Sequence, residues 1–300
     1  MRRVIAVGGN ALLRRGEPLS AENQWRTMAA AAPGLGRACD GHEIALVHGN
    51  GPQIGLLALE AEAYEAAPGW PLDVLGAESQ GMVGYVIAQA LRNALPAREV
   101  AVVLTQTRVD SADSAFLRPT KPIGPVYASD VAKAWGAARG WTFAPDGSGL
   151  RRVVASPTPL EIAEAATIAR LVGAGVITVC AGGGGVPVAA APDGSRHGVE
   201  AVIDKDLAAA LLAARLDADE LLILTDVDAV YLDWGRPHAR AVRDARAEDL
   251  LGRDFAEGSM APKVRAACGF ALQTGRPALI GTLDDIDGLL AGASGTRIRP

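Results

Sequence analysis

The sequence predicts an α/β fold: a largely parallel sheet with helices on both faces and a small protruding subdomain. Three observations carry that reading. Short apolar runs alternate with longer alanine-rich stretches of helical pattern, as in the strand–helix–strand units that build parallel sheets. The runs are continuously apolar rather than alternating, as in strands buried on both faces. One segment, residues 109–159, breaks the rhythm with prolines and glycines, and a structureless connection of that length is uncommon in a compact domain.

Taken in order, residues 4–7 read as the first buried strand, ending in Gly8-Gly9-Asn10, and residues 21–39 as a helix. Residues 44–48 form the second strand and run into His48-Gly49-Asn50-Gly51-Pro52-Gln53. Pro52 suits the first turn of a following helix, where its missing N–H has no partner to lose. A helix over 80–95 leads to a strand over 100–105. The interrupting segment holds a helical run at 129–139, Trp135 and Trp141, the turn Asp146-Gly147-Ser148-Gly149 and a closing Ser156-Pro157-Thr158-Pro159. A helix over 160–172 and a strand over 176–180 precede Gly182, Gly183, Gly184 and Gly185. Residues 186–190 and 199–203 read as a hairpin around a turn at 191–198. Asp204 is placed to cap a helix over 207–215. A strand over 221–225, a helix over 262–274 and a strand over 278–280 complete the order.

The chain is 49% apolar and 21% charged, an ordinary globular composition, and aromatics are only 4%, so aliphatic residues must build the core. A net charge of −5 argues against a nucleic-acid binder, which usually presents a basic face. Cys39, Cys180 and Cys268 are widely spaced and odd in number, which favours a reducing compartment. The apolar run after Met1-Arg2-Arg3 is too short for a signal-peptide core, and no stretch is long enough to span a bilayer. A cytoplasmic protein with no membrane contact is the expectation.

The three glycine clusters all follow strand-like runs. In open α/β sheets ligands bind beyond the carboxyl ends of the strands. Glycines there let backbone N–H groups approach anionic oxygens, and a following helix adds partial positive charge. A single such cluster is equally the mark of a tight turn; three on one edge point to an anion site. Lysine is rare: of 29 basic residues only Lys121, Lys133, Lys205 and Lys263 are lysine. Lys133 lies in a helical run and reads as solvated. The others lie in Lys121-Pro122-Ile123-Gly124-Pro125, Asp204-Lys205-Asp206 and Gly258-Ser259-Met260-Ala261-Pro262-Lys263. A compact ammonium there does what a planar guanidinium cannot, and gathered together the three would bind a polyanion. Thr225-Asp226-Val227-Asp228 reads equally as an Asx turn or as ligand contacts.

No phosphate-binding G-x-x-x-x-G-K-[ST] loop, zinc-protease helix or serine-hydrolase elbow occurs, and the four histidines form no local cluster. No protein-held metal is therefore expected. Phosphoryl transfer rests on positioning and charge neutralisation, and it fits what remains.

These segments, in this order along nearly the whole chain, resemble the carbamate kinases, a branch of the amino-acid kinase family. The resemblance rests on Val7-Gly8-Gly9-Asn10-Ala11, His48-Gly49-Asn50-Gly51-Pro52-Gln53, Pro119-Thr120-Lys121-Pro122-Ile123-Gly124-Pro125, the glycines at 182–185 with Val186-Pro187-Val188, Glu200-Ala201-Val202-Ile203-Asp204-Lys205-Asp206 and Gly258-Ser259-Met260-Ala261-Pro262-Lys263. It implies a three-layer αβα sandwich, a homodimer, and the reaction ATP + carbamate ⇌ ADP + carbamoyl phosphate with Mg²⁺ held mainly by nucleotide phosphates. The family habit is ATP formation in arginine or purine breakdown. By family pattern Lys205 and Lys263 bind the transferring phosphoryl group and Asp206 orients them. Gly8, Gly9, Asn10, Gly49, Asn50 and Gly51 hold carbamate and phosphoryl oxygens, and Lys121 reaches in from the subdomain. Gly183, Gly184, Thr225, Asp228, Tyr231, Met260 and Lys263 are assigned to the nucleotide, with a substrate lobe over about 1–195, a nucleotide lobe over about 196–300 and a lid at 109–159. Asp226 departs from the pattern, standing where the branch often carries glycine. Two other readings remain open at this point: a kinase of another small carboxylate, and a silent sensor of nucleotide or carbamoyl phosphate. A nicotinamide-dependent oxidoreductase is a more distant option.

Overall fold

Eight strands form one sheet whose centre is the first strand of the chain, Arg2–Val7, flanked in parallel by Glu43–His48 and Glu220–Thr225. The computed structural model describes residues 1–8, 13, 17–64, 69–256 and 259–300. Beyond Glu43–His48 lie Ile177–Val179 and then Val100–Val102; beyond Glu220–Thr225 lie Ala278–Thr282, Thr296–Arg299 and Asp244–Arg246. All neighbours are parallel except Ala278–Thr282 and Thr296–Arg299.

The alternation of strand side chains sorts the core into two layers. Val4, Ala6, Ala45, Val47, Leu221 and Ile223 face the helices Ala165–Gly173, Lys205–Arg215 and Met260–Thr274. Ile5, Val7, Ile44, Leu46, Leu222 and Leu224 face Ala21–Cys39, Leu72–Ala94 and Ile286–Leu290. Both faces are sealed, which is why the strands are apolar throughout; each fully buried Ile or Leu contributes about 1.5–3 kcal/mol. The architecture is the three-layer αβα sandwich around a largely parallel sheet.

Smaller sheets lie at the carboxyl edge. Lys121–Tyr127, Gly149–Val154 and Thr142–Asp146 form an antiparallel three-stranded sheet backed by the helix Ser129–Arg139. Its aromatic side chains pack edge to face, Trp135 on Trp141 and Tyr127 on Phe143, with the Arg152 guanidinium 3.8 Å above the Trp141 ring. A four-stranded sheet orders Arg196–Gly198, Val186–Ala190, Gln106–Arg108 and Glu161–Ile162.

Several boundaries differ from expectation. The strand expected over 100–105 ends at Val102. The Gln80 amide then takes over both backbone groups of Thr105, accepting from its N–H at 2.9 Å and donating to its C=O at 2.9 Å, and the chain passes into the second sheet. The helix expected over 160–172 begins at Ala165, because Glu161–Ile162 pairs with Thr107 and Arg108 as a strand. The helix expected from residue 80 begins at Leu72, whose N–H donates to the Glu200 carboxylate at 2.9 Å. The hairpin partner of Val186–Ala190 is Arg196–Gly198, not residues 199–203. Those residues make one bridge, Ala201 with Ala155, and bury Val202 and Ile203 on the way to the Asp204 cap.

Candidate active site

The sheet register brings the glycine loops together. Val7 is level with both Leu224 and His48, so Gly8, Thr225 and Gly49 leave the three central strands side by side. Gly8 N–H donates to Leu224 O at 2.9 Å and Gly49 N–H to Val7 O at 3.1 Å, which ties the loops to the sheet edge. Three helices begin there: Gly51–Ala63, Lys205–Arg215 and Met260–Thr274. The first and third have no side-chain cap, which turns the positive ends of their dipoles toward an anion, although the Ala261 N–H is taken by Ala256 O at 3.1 Å.

A cavity of about 840 Å³ opens between this edge and the three-stranded subdomain, within the usual range for a small-ligand site. Of the residues expected at the site, Gly8, Gly49, Asn50, Gly51, Lys121, Gly183, Lys205, Asp206, Thr225 and Lys263 line it. Gly184, Asp228, Tyr231 and Met260 are not in its lining. Asp228 and Tyr231 bond to each other at 2.9 Å on the exposed surface beyond Thr225, and Met260 opens the helix that carries Lys263. Gly9 and Asn10 lie outside the described residues.

At the base of the cavity Asp206 is buried between two lysines. Lys205 Nζ donates to Oδ1 at 2.6 Å and Lys263 Nζ to Oδ2 at 3.2 Å. Burial pulls the Asp206 carboxyl upward, but the Lys205 and Lys263 charges outweigh it and hold its pKa below the ordinary value. Burial, then Asp206, govern Lys263, whose net shift is upward; burial dominates at Lys205 and shifts it downward. The pattern is a fixed carboxylate that spaces two ammonium groups.

Across the cavity Lys121, on the first residue of its subdomain strand, donates to Asp204 Oδ2 at 2.5 Å. Three ammonium groups against the carboxylates of Asp204 and Asp206 leave this five-residue group one positive charge in excess. Asp226 also lines the cavity beside Thr225 and raises the Lys263 pKa. Lys133 is exposed on the helix Ser129–Arg139, away from this group.

His48 is buried beside the site. Its Nδ1–H donates to Gly49 O at 2.9 Å, and burial, helped by the Lys205 charge, pushes its pKa down to about 4. It is a neutral prop for the glycine loop. The Asn50 amide is held from behind, Nδ2 donating to Ser79 Oγ at 2.8 Å while Ser79 donates to Gly76 O at 2.7 Å. Gly183 has φ +64°, and a Cβ there would lie 2.1 Å from Asn50 Nδ2, so only glycine fits. Sequence reasoning missed Ser79, a serine inside a long helix with no local mark of its role. It read Asp204 as a helix cap and as one of two carboxylates flanking Lys205, and missed its partner Lys121, which is 83 residues away.

Residues 1–282 match the family model for the amino acid kinase family. The chain is 52% identical over 295 residues to the carbamate kinase of Escherichia coli (strain K12), covering 98% of each chain. It is 50% identical over 299 residues to the carbamate kinase of Haemophilus influenzae, covering 99% of this chain and 96% of that one. Among solved structures, carbamate kinase from Giardia lamblia bound to AMP-PNP superposes with a TM-score of 0.90 at 39% identity, covering 99% of this chain and 98% of that chain.

Proposed function

The chain belongs to the amino acid kinase family and within it to the carbamate kinases, and from that membership we propose how its residues divide the work. The activity is reversible phosphoryl transfer between ATP and carbamate. The observation that carries the residue assignment is the Lys205–Asp206–Lys263 bridge facing the Gly8 and Gly49–Gly51 edge, with Lys121 opposite.

Lys205 and Lys263 neutralise the phosphoryl oxygens as they pass between nucleotide and carbamate, spaced by Asp206. On the substrate side, the lobe formed by about 1–195, the Gly51 N–H and the Asn50 amide hold carbamate and phosphoryl oxygens, while Gly8 and Gly49, whose N–H groups pair with Leu224 O and Val7 O, let the anion come close to the sheet edge. Thr225 and Lys263, in the lobe formed by about 196–300, and Gly183 lead to the nucleotide side, to which Gly184, Asp228, Tyr231 and Met260 are also assigned. Catalysis here is positioning and electrostatic preorganisation. No side chain is asked to act as nucleophile.

Mg²⁺, carried by the nucleotide phosphates, would supply neutralisation of their charge. Asp204 and Asp206 are already paired with lysines, a donor set that fits a metal carried by phosphates rather than by a protein cage. The segment 109–159 acts as a lid that brings Lys121 to the substrate and excludes water, which protects the labile carbamate and carbamoyl phosphate. A homodimer is supported by exposed Met82 and Tyr85 on Leu72–Ala94 beside exposed Val102 at the sheet edge. No helix among the described residues is long and apolar enough to cross a membrane, and three buried free cysteines suit a reducing cytoplasm.

The test is ATP formation from ADP and carbamoyl phosphate with Mg²⁺, against acetyl phosphate as donor. Much faster turnover with carbamoyl phosphate is expected; equal rates with both donors, or none with either, would overturn the assignment.

A further inference from the structure

Asp204 does two jobs with two oxygens. Oδ1 caps the helix Lys205–Arg215, accepting from the N–H groups of Asp206 at 2.9 Å and Leu207 at 3.3 Å. Oδ2 accepts from Lys121 Nζ at 2.5 Å, across the cavity. Capping needs only one neutral acceptor, and asparagine or serine serves as well as aspartate. The negative charge and the second oxygen are therefore surplus to the cap. Asp204 is buried, 8% exposed, and a buried carboxylate is costly unless it is paired. Burial would raise its pKa, but the Lys121 charge, followed by Lys205, reverses this and keeps it ionised.

The pair joins two parts of the molecule. Lys121 is held by its backbone in the subdomain sheet, level with Val154. Asp204 immediately precedes the helix whose first residues are Lys205 and Asp206. The ion pair thus sets the Lys121 ammonium in a defined position relative to the phosphoryl-binding lysines. An ammonium has three N–H donors; Asp204 takes one and leaves others for an incoming oxyanion.

We propose that Asp204 is the positioning residue for Lys121, holding its ammonium in the cavity and registering the subdomain against the helix that carries Lys205 and Asp206. The inference rests on the carbamate kinase reading of this site. Asp204 acts through Lys121 rather than on the reacting atoms. A positioning error of an ångström is costly when the donor must meet a transferring group.

The experiment is a double-mutant cycle on the full chain, using Asp204→Asn, Lys121→Ala and the pair, assayed for ATP formation from carbamoyl phosphate and ADP. Asn retains the capping oxygen and loses the charge; Asp204→Ser, a second capping residue, covers the case in which the first variant does not fold. Asp204→Asn is expected to lower kcat/KM for carbamoyl phosphate at least tenfold and to leave ADP affinity within about twofold. The double variant is expected to be no more than about twofold slower than Lys121→Ala alone. Limited proteolysis without substrate gives a readout independent of turnover, with faster cleavage at 121–154 expected in Asp204→Asn. Losses that multiply in the double variant, or wild-type kinetics in Asp204→Asn, would overturn the proposal. Absence of turnover in the unmodified enzyme would instead overturn the functional reading, and unchanged proteolysis in Asp204→Asn would still count against Asp204 on its own.

Discussion

Gly55 of the helix Gly51–Ala63 meets Gly124 of the subdomain backbone to backbone: a Cβ at position 55 would stand 2.0 Å from the Gly124 Cα. Gly124 itself has φ +70°, open to glycine and strained for other residues. The contact seats the subdomain over Gly51, whose own Cβ position is 3.6 Å from Pro122 O. Gly55→Ala must therefore push the subdomain off its seat. We expect a fall of tenfold or more in kcat/KM for carbamoyl phosphate, with ADP affinity within about twofold, on the scale set by ångström misplacement. Unchanged kinetics in Gly55→Ala would show that this seat does not matter for turnover.

Lys205→Arg and Lys263→Arg keep the charge but spread it over a plane. Asp206 spaces two point charges at 2.6 and 3.2 Å, and a guanidinium cannot occupy either position without moving the carboxylate. Each variant is expected to lose on the order of a hundredfold in kcat, the scale for removing one preorganised charge from a transition state. Lys133→Arg, on the exposed helix, should change nothing. Steady-state kinetics on the three variants checks this, and near-normal kcat in either of the first two refutes the assigned role.

His48 makes folding stability depend on pH. Its folded pKa lies at about 4 against 6.5 unperturbed, so between those values the unfolded chain binds a proton that the folded chain does not. Stability then falls as pH falls. The loss accumulates from pH 6.5 down to 4 and reaches about 3 kcal/mol, at 1.36 kcal/mol per unit. Urea midpoints of wild type and His48→Gln at pH 7 and 4.5 measure it. The variant should show a smaller drop; parallel drops would mean that His48 is not the group titrating.

All three cysteines are buried, and burial raises the thiol pKa to about 12 at Cys39, about 12 at Cys180 and about 11 at Cys268. Thiolate is the reactive form. A chromogenic disulfide reagent at pH 8 should therefore release almost no thiolate from the native protein and three equivalents once it is denatured. Activity should survive the reagent. Rapid reaction of one equivalent with loss of activity would contradict the buried assignment.

Much of the molecule was legible because its signals are local. The helix Ala21–Cys39 and the strand Glu220–Thr225 follow from composition and period alone. Pro52 in the first turn after Asn50 and Asp204 at a helix start carry their own chemistry within a few residues. The rarity of lysine marked Lys121, Lys205 and Lys263, and the glycine clusters marked the sheet edge that they approach. The places where expectation failed are those where a distant partner decides. Glu161–Ile162 became a strand because Thr107 and Arg108 were there to pair with it, and the helix Leu72–Ala94 starts early where Glu200 meets its first N–H.

What the sequence by itself determined was therefore the class of fold, six of the eight strands described in its main sheet, with Asp244–Arg246 and Thr296–Arg299 missed, and the glycines and lysines that meet at one cavity. These rest on apolar period, turn chemistry and the few lysines, all readable within a short window. Only the tertiary structure decided that Ser79 holds Asn50, that Gly55 seats Gly124, and that Asp204 spends its second oxygen on Lys121. Such contacts arise from strand register and layer packing. Hydrogen bonds, ion pairs and close contacts act over a few ångströms of space, however many residues of chain lie between the groups.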